Sequence, residues 1–168
     1  MVSLPQIEKI KSLLFICTGN CARSIMAEAL TKHALKNRPL DLQVDSAGTE
    51  AKSGMVPTEN TRTVLEQHGI LADSHKAKIC TKEMIERADL LLVMERSHHK
   101  TILSRYPDAK NKLFLLTDFC PDIEPWIQES GIPDPLGMNL EFYSNICHLI
   151  ERSCLGLLEK NRPGAESA

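Results

Sequence analysis

Two cysteines and an arginine lie close together near the amino terminus, in a segment whose other residues are mostly small. The segment ICTGNCARS covers residues 16–24 and contains Cys17, Cys21 and Arg23. Thiols at such short spacing serve three kinds of chemistry: they bind a metal ion, form a redox pair, or supply a nucleophile. The arginine matters to this choice, because its guanidinium can hold an anion in front of a nucleophile.

A metal site is the first alternative. Cys17 and Cys21 are four positions apart, but no second pair of cysteines or histidines follows at the spacing that zinc sites use. The four other cysteines lie singly along the chain and add no such pair. We therefore expect neither a metal ion nor another cofactor in this protein.

The nucleophile hypothesis accounts for more of the segment. A cysteine attacks as its thiolate, which is favoured by a nearby positive charge and by the amide groups at the start of a helix. Arg23 and the turn before it offer both to Cys17, and the Ser24 hydroxyl could donate a hydrogen bond to the sulfur. A loop this short can wrap a tetrahedral oxyanion. The pattern therefore predicts a nucleophilic thiolate next to a tetrahedral oxyanion that Arg23 binds.

The elements that must position these residues follow from the alternation of strand-like and helix-like segments. Short apolar runs predict strands, and apolar residues spaced three to four apart predict helices. Predicted strands cover residues 12–16, 42–45, 89–94 and 112–116, and predicted helices cover 24–36, 57–68, 81–88, 97–106 and 139–160. Residues 46–48 are predicted as a turn, and 118–137 as a loop rich in proline and glycine.

Strands separated by helices indicate parallel βαβ units and hence an open α/β fold. We predict a parallel four-stranded sheet with helices on both faces and the phosphate-binding loop directly after the first strand. Ligands of such sheets bind at the carboxyl ends of the strands, which is where residues 17–24 then lie. The amide groups of this loop can converge on an anion at the start of the next helix.

Composition limits the classes of protein to which the chain can belong. Its 168 residues, 42% of them hydrophobic, fit one domain, which we predict over residues 1–168. The formal net charge of −2 gives no general attraction to nucleic acid or to anionic membranes, so we expect neither as a partner. No apolar run is long enough to span a membrane, and the first residues do not resemble a signal peptide. Scattered cysteines favour reduced thiols and a cytoplasmic location.

Beyond these local features, the stretch LLFICTGNCARSIMAEAL resembles the phosphate-binding loop of the low-molecular-weight protein tyrosine phosphatases and their arsenate-reductase relatives. The family pattern there is roughly Cys-x-Gly-Asn-x-Cys-Arg-Ser. Four further segments match in the same order: VDSAGT at 44–49, HGILADSHKAK at 68–78, ADLLLVME at 88–95 and DPLG at 134–137. The resemblance covers nearly the whole chain. It implies the same fold and a phosphatase that acts on phosphorylated proteins.

Residue roles follow from the resemblance at the matching positions. Cys17 would be the nucleophile and form a phosphocysteine intermediate, while Arg23 would bind the phosphoryl oxygens. Asp134 would protonate the leaving oxygen and then act as base on the attacking water. The implied phosphate-binding loop also comprises Thr18, Gly19, Asn20, Cys21, Ala22 and Ser24.

Two roles implied by the resemblance concern the shape and charge of the loop. Ser24 would stabilise the thiolate. Asn20 would hold the loop in a strained conformation, through a hydrogen-bond network with Ser46 and His75. Each of these residues has an ordinary structural alternative, since serine, asparagine and histidine are frequent in turns and on surfaces. The match to the family pattern is what selects them.

The chain departs from the family pattern at two places. The residue before Arg23 is Ala22 instead of cysteine, and Cys21 stands where relatives that hydrolyse phosphoarginine have threonine. A disulfide between Cys17 and Cys21 that protects the nucleophile from over-oxidation is an open hypothesis. At the rim, the positions that often carry aromatic residues in the tyrosine phosphatases are occupied here by Glu50, Ala51, Leu136 and Gly137.

These departures leave the substrate open. We expect a protein tyrosine phosphatase, with a protein arginine phosphatase as the alternative. A thiol-dependent arsenate reductase ranks third, because that chemistry needs a closely spaced cysteine pair after the third strand. The stretch VMERSHHKTILSRYPD, which occupies that place, contains no cysteine.

Overall fold

Four parallel strands form the sheet in a computed structural model that describes residue 5 and residues 9–159. In the described part of the chain, the strands are β1 Ser12–Cys17, β2 Gln43–Gly48, β3 Leu90–Val93 and β4 Leu113–Leu115. Their spatial order is β2-β1-β3-β4, with every neighbouring pair parallel. The predicted open parallel four-stranded sheet is therefore confirmed, with the loop of residues 18–22 directly after β1.

Six α-helices connect and cover these strands within the described residues. They are α1 Arg23–Leu35, α2 Glu59–Gln67, α3 Lys82–Arg87, α4 Arg96–Arg105, α5 Pro125–Ser130 and α6 Leu140–Glu159. Two short 3₁₀ helices, Pro107–Lys112 and Leu116–Phe119, flank β4. The predicted final residue of the last helix, Lys160, lies outside the described residues. Among the described helices, none is long and apolar enough to cross a membrane.

Alternate residues of the central strands face opposite sides of the sheet, as the two-residue period of a strand requires. Leu13, Phe15, Leu90 and Leu92 belong to the apolar cluster that also holds buried residues of α1, α2 and α6. Leu14, Ile16, Leu91 and Val93 belong to a second cluster with residues of α3 and α4. Helices thus cover both faces, which explains why β3 and residues 13–17 of β1 are apolar at every position.

Two predicted segments are wrong in detail. Residues 46–48, predicted as a turn, are the last three residues of β2 and pair with residues 15–17 of β1. Their small and polar composition resembles a turn, but β1 supplies the partner that keeps them extended. The predicted loop 118–137 contains α5, which begins at Pro125 and ends before Gly131 at a φ of 98°. Proline at the first helical position and glycine after the last are ordinary helix boundaries.

Candidate active site

The loop of residues 18–22 joins β1 to α1 and rests against the end of β2. The Thr49 N–H donates to the Cys17 carbonyl at 2.8 Å, and the Glu50 N–H donates to the Thr18 carbonyl at 2.9 Å. A Cβ at Gly48 would lie only 2.4 Å from the Thr18 oxygen, so only glycine allows this close approach. Ala22 occupies the N-cap of α1 and has no side chain that could cap the helix, which leaves its first amides free for an anion.

The Cys17 thiol lies beneath this loop, almost fully buried. Its sulfur is 3.0 Å from the Ser24 Oγ and receives the Asn20 backbone N–H at 3.2 Å. Two hydrogen-bond donors therefore converge on one sulfur at the start of a helix. Donors in this position stabilise a thiolate relative to a thiol.

Asn20 makes several hydrogen bonds that fix the conformation of the loop. Its φ of 54° places it in the left-handed region, which asparagine tolerates better than most residues. The side-chain amide donates to Ser24 at 2.9 Å and to Ser46 at 2.8 Å, and it accepts the Lys78 N–H at 3.0 Å. The His75 Nε2 lies 3.1 Å from the Asn20 carbonyl. The structure thus brings Asn20, Ser46 and His75 together as the resemblance implied.

A buried carboxylate at the end of this network was not identified from the sequence. The Ser46 hydroxyl donates to Glu28, whose other oxygen accepts the Lys32 ammonium at 2.5 Å. Because the single proton of Ser46 goes to Glu28, its oxygen must accept from Asn20. The Ser24 oxygen likewise accepts from Asn20, which leaves the Ser24 proton free for Cys17. One clue was present in the sequence, since Glu28 follows Ser24 by one helical turn on a buried face of α1.

Arg23 is the largest polar side chain of the site and is 2% exposed. Its Nη1 donates to the Ile132 carbonyl at 3.0 Å and to Glu95 at 3.2 Å, and its Nη2 donates to Asp134 at 2.9 Å. Within the described residues these are the acceptors of its side chain. Since a guanidinium carries five N–H groups, two remain, which matches two oxygens of a tetrahedral anion.

The segment that carries Ile132 and Asp134 is anchored on the end of β3. The Ile132 N–H donates to the Met94 carbonyl at 2.6 Å. Gly131 has a φ of 98°, and a Cβ there would lie 2.3 Å from the same Met94 oxygen. The Asp134 carboxylate also accepts the Leu136 N–H at 3.1 Å, and its side chain is 48% exposed. Asp134 therefore lies at the mouth of the site, in reach of both Arg23 and solvent.

We predict that Gly131→Ala separates this segment from Arg23. The left-handed φ and the contact with Met94 should together lower the free energy of unfolding by about 2–5 kcal/mol. Turnover of an aryl phosphate should fall as well, because Asp134 moves with the segment. Urea unfolding and steady-state kinetics measure the two effects. The matched control is Gly54→Ala, which has a similar φ of 86° but nothing within 4 Å of the added Cβ. Equal losses in both variants would show that the anchoring contact has no effect.

Glu95 is the second carboxylate beside Arg23 and was also missed by sequence reasoning. It lies two residues after the end of β3 and accepts the Ser97 hydroxyl at 2.8 Å. Burial acts to raise the pKa of Glu95, but the Ser97 hydrogen bond and the charge of Arg23 outweigh it and lower the pKa. Glu95 is thus ionised at neutral pH and balances the buried guanidinium.

His98 is the third residue that the sequence did not reveal. Its Nε2 lies 2.8 Å from the Thr18 hydroxyl and 3.6 Å from Glu95. Burial, and then the charge of Arg23, lower the pKa of His98 to about 4, so the ring is neutral near pH 7. The residue lies in a basic stretch of α4 where nothing in the spacing distinguishes it from its neighbour His99.

Cys21 occupies the outer part of the loop, half-buried. Its carbonyl accepts the Thr58 N–H at 3.0 Å and the Thr61 hydroxyl at 3.2 Å, which ties the loop to the start of α2. Burial raises the pKa of the Cys21 thiol, and the negative charges of Cys17 and Asp134 raise it further. Cys21 therefore remains a neutral thiol while Cys17 receives the stabilising hydrogen bonds.

The predicted loop, nucleophile, arginine and carboxylate residues thus all meet at the carboxyl ends of β1 and β3. A buried thiol, a half-exposed carboxyl and a guanidinium with two N–H groups that no described residue accepts lie at this edge of the sheet. Such a set can hold a tetrahedral phosphoryl group, attack its phosphorus and exchange a proton with a leaving oxygen.

Comparison with known proteins identifies a matching family, similar sequences and similar solved structures. Residues 12–164 match a family described as low molecular weight phosphotyrosine protein phosphatase. A protein-arginine-phosphatase of Geobacillus stearothermophilus is 37% identical over 132 residues, 78% of this chain and 82% of the relative. A low molecular weight protein-tyrosine-phosphatase of Acinetobacter johnsonii is 34% identical over 143 residues, 85% and 92% of the two chains. The solved structure of a low molecular weight protein tyrosine phosphatase from T. tengcongensis matches with a TM-score of 0.81 at 33% identity, covering 89% of this chain and 98% of the other.

Proposed function

The chain belongs to the low molecular weight phosphotyrosine protein phosphatase family, and from this membership we propose that it hydrolyses phosphotyrosine in proteins through a phosphocysteine intermediate. The observation that carries the proposal is the pair of donors on the Cys17 sulfur, beside a buried Arg23 with two unused N–H groups. Phosphoryl transfer depends mainly on positioning and charge stabilisation, and this loop supplies both.

In the first step the Cys17 thiolate attacks phosphorus in line with the bond to the tyrosine oxygen. The S–P bond forms while the P–O bond breaks, and Arg23 binds two of the equatorial oxygens. The phosphoryl group takes over the Arg23 N–H that Asp134 accepts, so the carboxyl is free to reach the leaving oxygen. Asp134 gives its proton to that oxygen, and the product leaves as a neutral phenol.

In the second step a water molecule attacks the phosphocysteine. Asp134, now a carboxylate, takes a proton from the water as the new P–O bond forms. The S–P bond breaks, inorganic phosphate is released, and the sulfur returns as the thiolate held by Ser24 and the Asn20 N–H. Asp134 regains its proton in this step, so each turnover consumes one water molecule and needs no cofactor.

A parallel assay on three substrates tests the proposal. We expect phosphate release from a phosphotyrosine peptide, slower release from a phosphoarginine peptide, and no arsenite from arsenate with a thiol reductant. We expect phosphotyrosine to react faster than phosphoarginine because phenolate is the leaving group for which a single carboxylic acid is sufficient. Arsenite as the only product, or release of phosphate that persists after Cys17 is alkylated, would contradict the proposed reaction.

Phosphoarginine is the second candidate substrate, and two observations favour it. The mouth of the site is lined by two partly exposed carboxylates, Glu95 and Asp134, which suit a positively charged guanidino group. Leu136 stands beside Asp134 in place of an aromatic ring that would stack on a phenyl group. We expect Cys21→Thr to raise the ratio of phosphoarginine to phosphotyrosine turnover relative to Cys21→Ile. An unchanged ratio would remove Cys21 from the choice of substrate.

Three of the other thiols are unsuited to a thiol relay, which supports hydrolysis. Burial raises the pKa of Cys80 to about 11 and those of Cys147 and Cys154 to about 12, so none supplies a thiolate at neutral pH. All six cysteines are free thiols, which supports our proposal that the enzyme works in a reducing compartment, the cytoplasm.

A further inference from the structure

A surface cavity of about 290 Å³ lies between α1 and the segment that follows α2, away from the mouth of the active site. This volume is near the lower end of the range of small-molecule sites, roughly 300 Å³. The residues of its wall on which the proposal rests are Glu28, Ala29, Lys32, Lys36, Leu71 and His75. We call it the α1 cavity.

The chemistry of the α1 cavity favours an amphipathic anion. Ile25, Ala29 and Ile70 contribute apolar surface to its wall, and Leu71 is 76% exposed at its edge. Lys32 and Lys36 contribute two ammonium groups against a single carboxylate, Glu28, which already accepts hydrogen bonds from Ser46 and Lys32. A cation would meet two like charges there, whereas an anion with a small apolar body would meet both an ammonium and an apolar wall.

Two residues of the cavity wall also support the catalytic loop. His75 contacts the Asn20 carbonyl at 3.1 Å, and Glu28 accepts the proton of Ser46, which in turn accepts from the Asn20 side chain. Residues of the α1 cavity therefore support Asn20 in two ways: His75 contacts its backbone carbonyl, and Glu28 acts through Ser46 on its side chain. Because Lys32 and Glu28 are in direct contact, a ligand that displaces Lys32 also disturbs the carboxylate that orients Ser46.

We propose that the α1 cavity is an effector site for a small carboxylate carried on an apolar or aromatic body. The anion binds Lys32 and Lys36, and its apolar body lies on Ala29 and Leu71. Binding draws Lys32 away from Glu28 and so changes the hydrogen bond by which Glu28 orients Ser46, which lowers kcat, while the Arg23 edge that binds substrate is untouched. The inference rests on the proposed function, since it concerns how the Cys17 thiolate is maintained.

The experiment uses 4-phenylbutyrate as the probe and 4-phenylbutylamine as a control with the same body and opposite charge. We expect the carboxylate to shift the NMR signals of Ala29 and Leu71, and to lower kcat on an aryl phosphate about fivefold or more with little change in KM. The rate of alkylation of Cys17 by iodoacetamide should fall in parallel. The amine should do none of these. A pure rise in KM would place the probe in the active site and overturn the proposal.

Variants test whether the response to 4-phenylbutyrate depends on the α1 cavity or on another part of the surface. Lys36→Glu and Ala29→Phe should each abolish the response to 4-phenylbutyrate, by charge reversal and by filling the cavity. Lys100→Glu on α4 makes the same charge change elsewhere and should leave the response intact. An undiminished response in both cavity variants would overturn the proposal. If the chain fails to hydrolyse aryl phosphates, the NMR shifts and the alkylation rate still test the α1 cavity, so the two failures are distinguishable.

Discussion

Cys17→Ser is expected to abolish turnover of phosphotyrosine and aryl phosphates, with a loss of about 10⁴-fold or more. A serine hydroxyl does not ionise near neutral pH, and the two hydrogen-bond donors at this position cannot make it an equivalent nucleophile. The variant should still fold, because Ser24 and the Asn20 N–H can bond to an oxygen as they do to sulfur. It should also still bind inorganic phosphate through Arg23. Steady-state kinetics, urea unfolding and calorimetric phosphate binding measure the three properties.

The matched control for this change is Cys80→Ser. Cys80 is also a buried thiol, 6% exposed, but it lies in the cluster on the α3 and α4 face of the sheet. The same substitution there should reduce stability and leave kcat close to that of the parent. If Cys17→Ser retained turnover comparable to that of Cys80→Ser, the phosphocysteine mechanism would be wrong.

Asp134→Asn is expected to lower kcat by about 10²–10⁴-fold, which is the usual contribution of general acid catalysis. The amide has the shape of the carboxyl and can still accept from Arg23, but it has no proton to give to a leaving oxygen. The loss should therefore be largest for a poor leaving group such as phenol and smallest for 4-nitrophenol. A series of aryl phosphates with leaving groups of different basicity measures this dependence.

Two further variants make the assignment of Asp134 specific. Glu95 also contacts Arg23, so Glu95→Gln should reduce turnover by a similar factor for every leaving group. Asp73→Asn, at an exposed carboxyl paired with Arg62, should have no effect on turnover. A leaving-group dependence in Glu95→Gln and none in Asp134→Asn would transfer the general acid role to Glu95.

Much of the site could be recognised from local spacing. Cys17, Asn20, Arg23 and Ser24 lie within eight positions, where an apolar run gives way to a helical pattern, and the structure places them at one junction of strand, loop and helix. Strands β1, β3 and β4 were also predictable, because apolar runs covered on both faces are continuous in sequence, whereas β2 was predicted only in its first half. The family implied by the resemblance is confirmed by the match over residues 12–164.

The acidic residues were not equally accessible to sequence reasoning. Glu28 and Glu95 belong to segments where a charged residue is ordinarily solvated, and Asp134 was selected only through its resemblance to a family loop. The end of β2 at Ser46–Gly48 was misjudged for a related reason. Its composition suggests a turn, but it is extended because β1 provides hydrogen-bond partners over its full length.

By itself, the sequence determined the phosphate-binding loop, because a strand, a short turn and a helix that are continuous in the chain place Cys17 and Arg23 around one point. Only the tertiary structure decided which acidic groups meet them. The strand order β2-β1-β3-β4 brings the end of β3, with Glu95 and the attached Gly131–Asp134 segment, next to the end of β1. Carboxylates more than seventy positions away from Arg23 contact it because the carboxyl ends of parallel strands lie at one edge of the sheet. No local sequence pattern specifies which of these strand ends become neighbours.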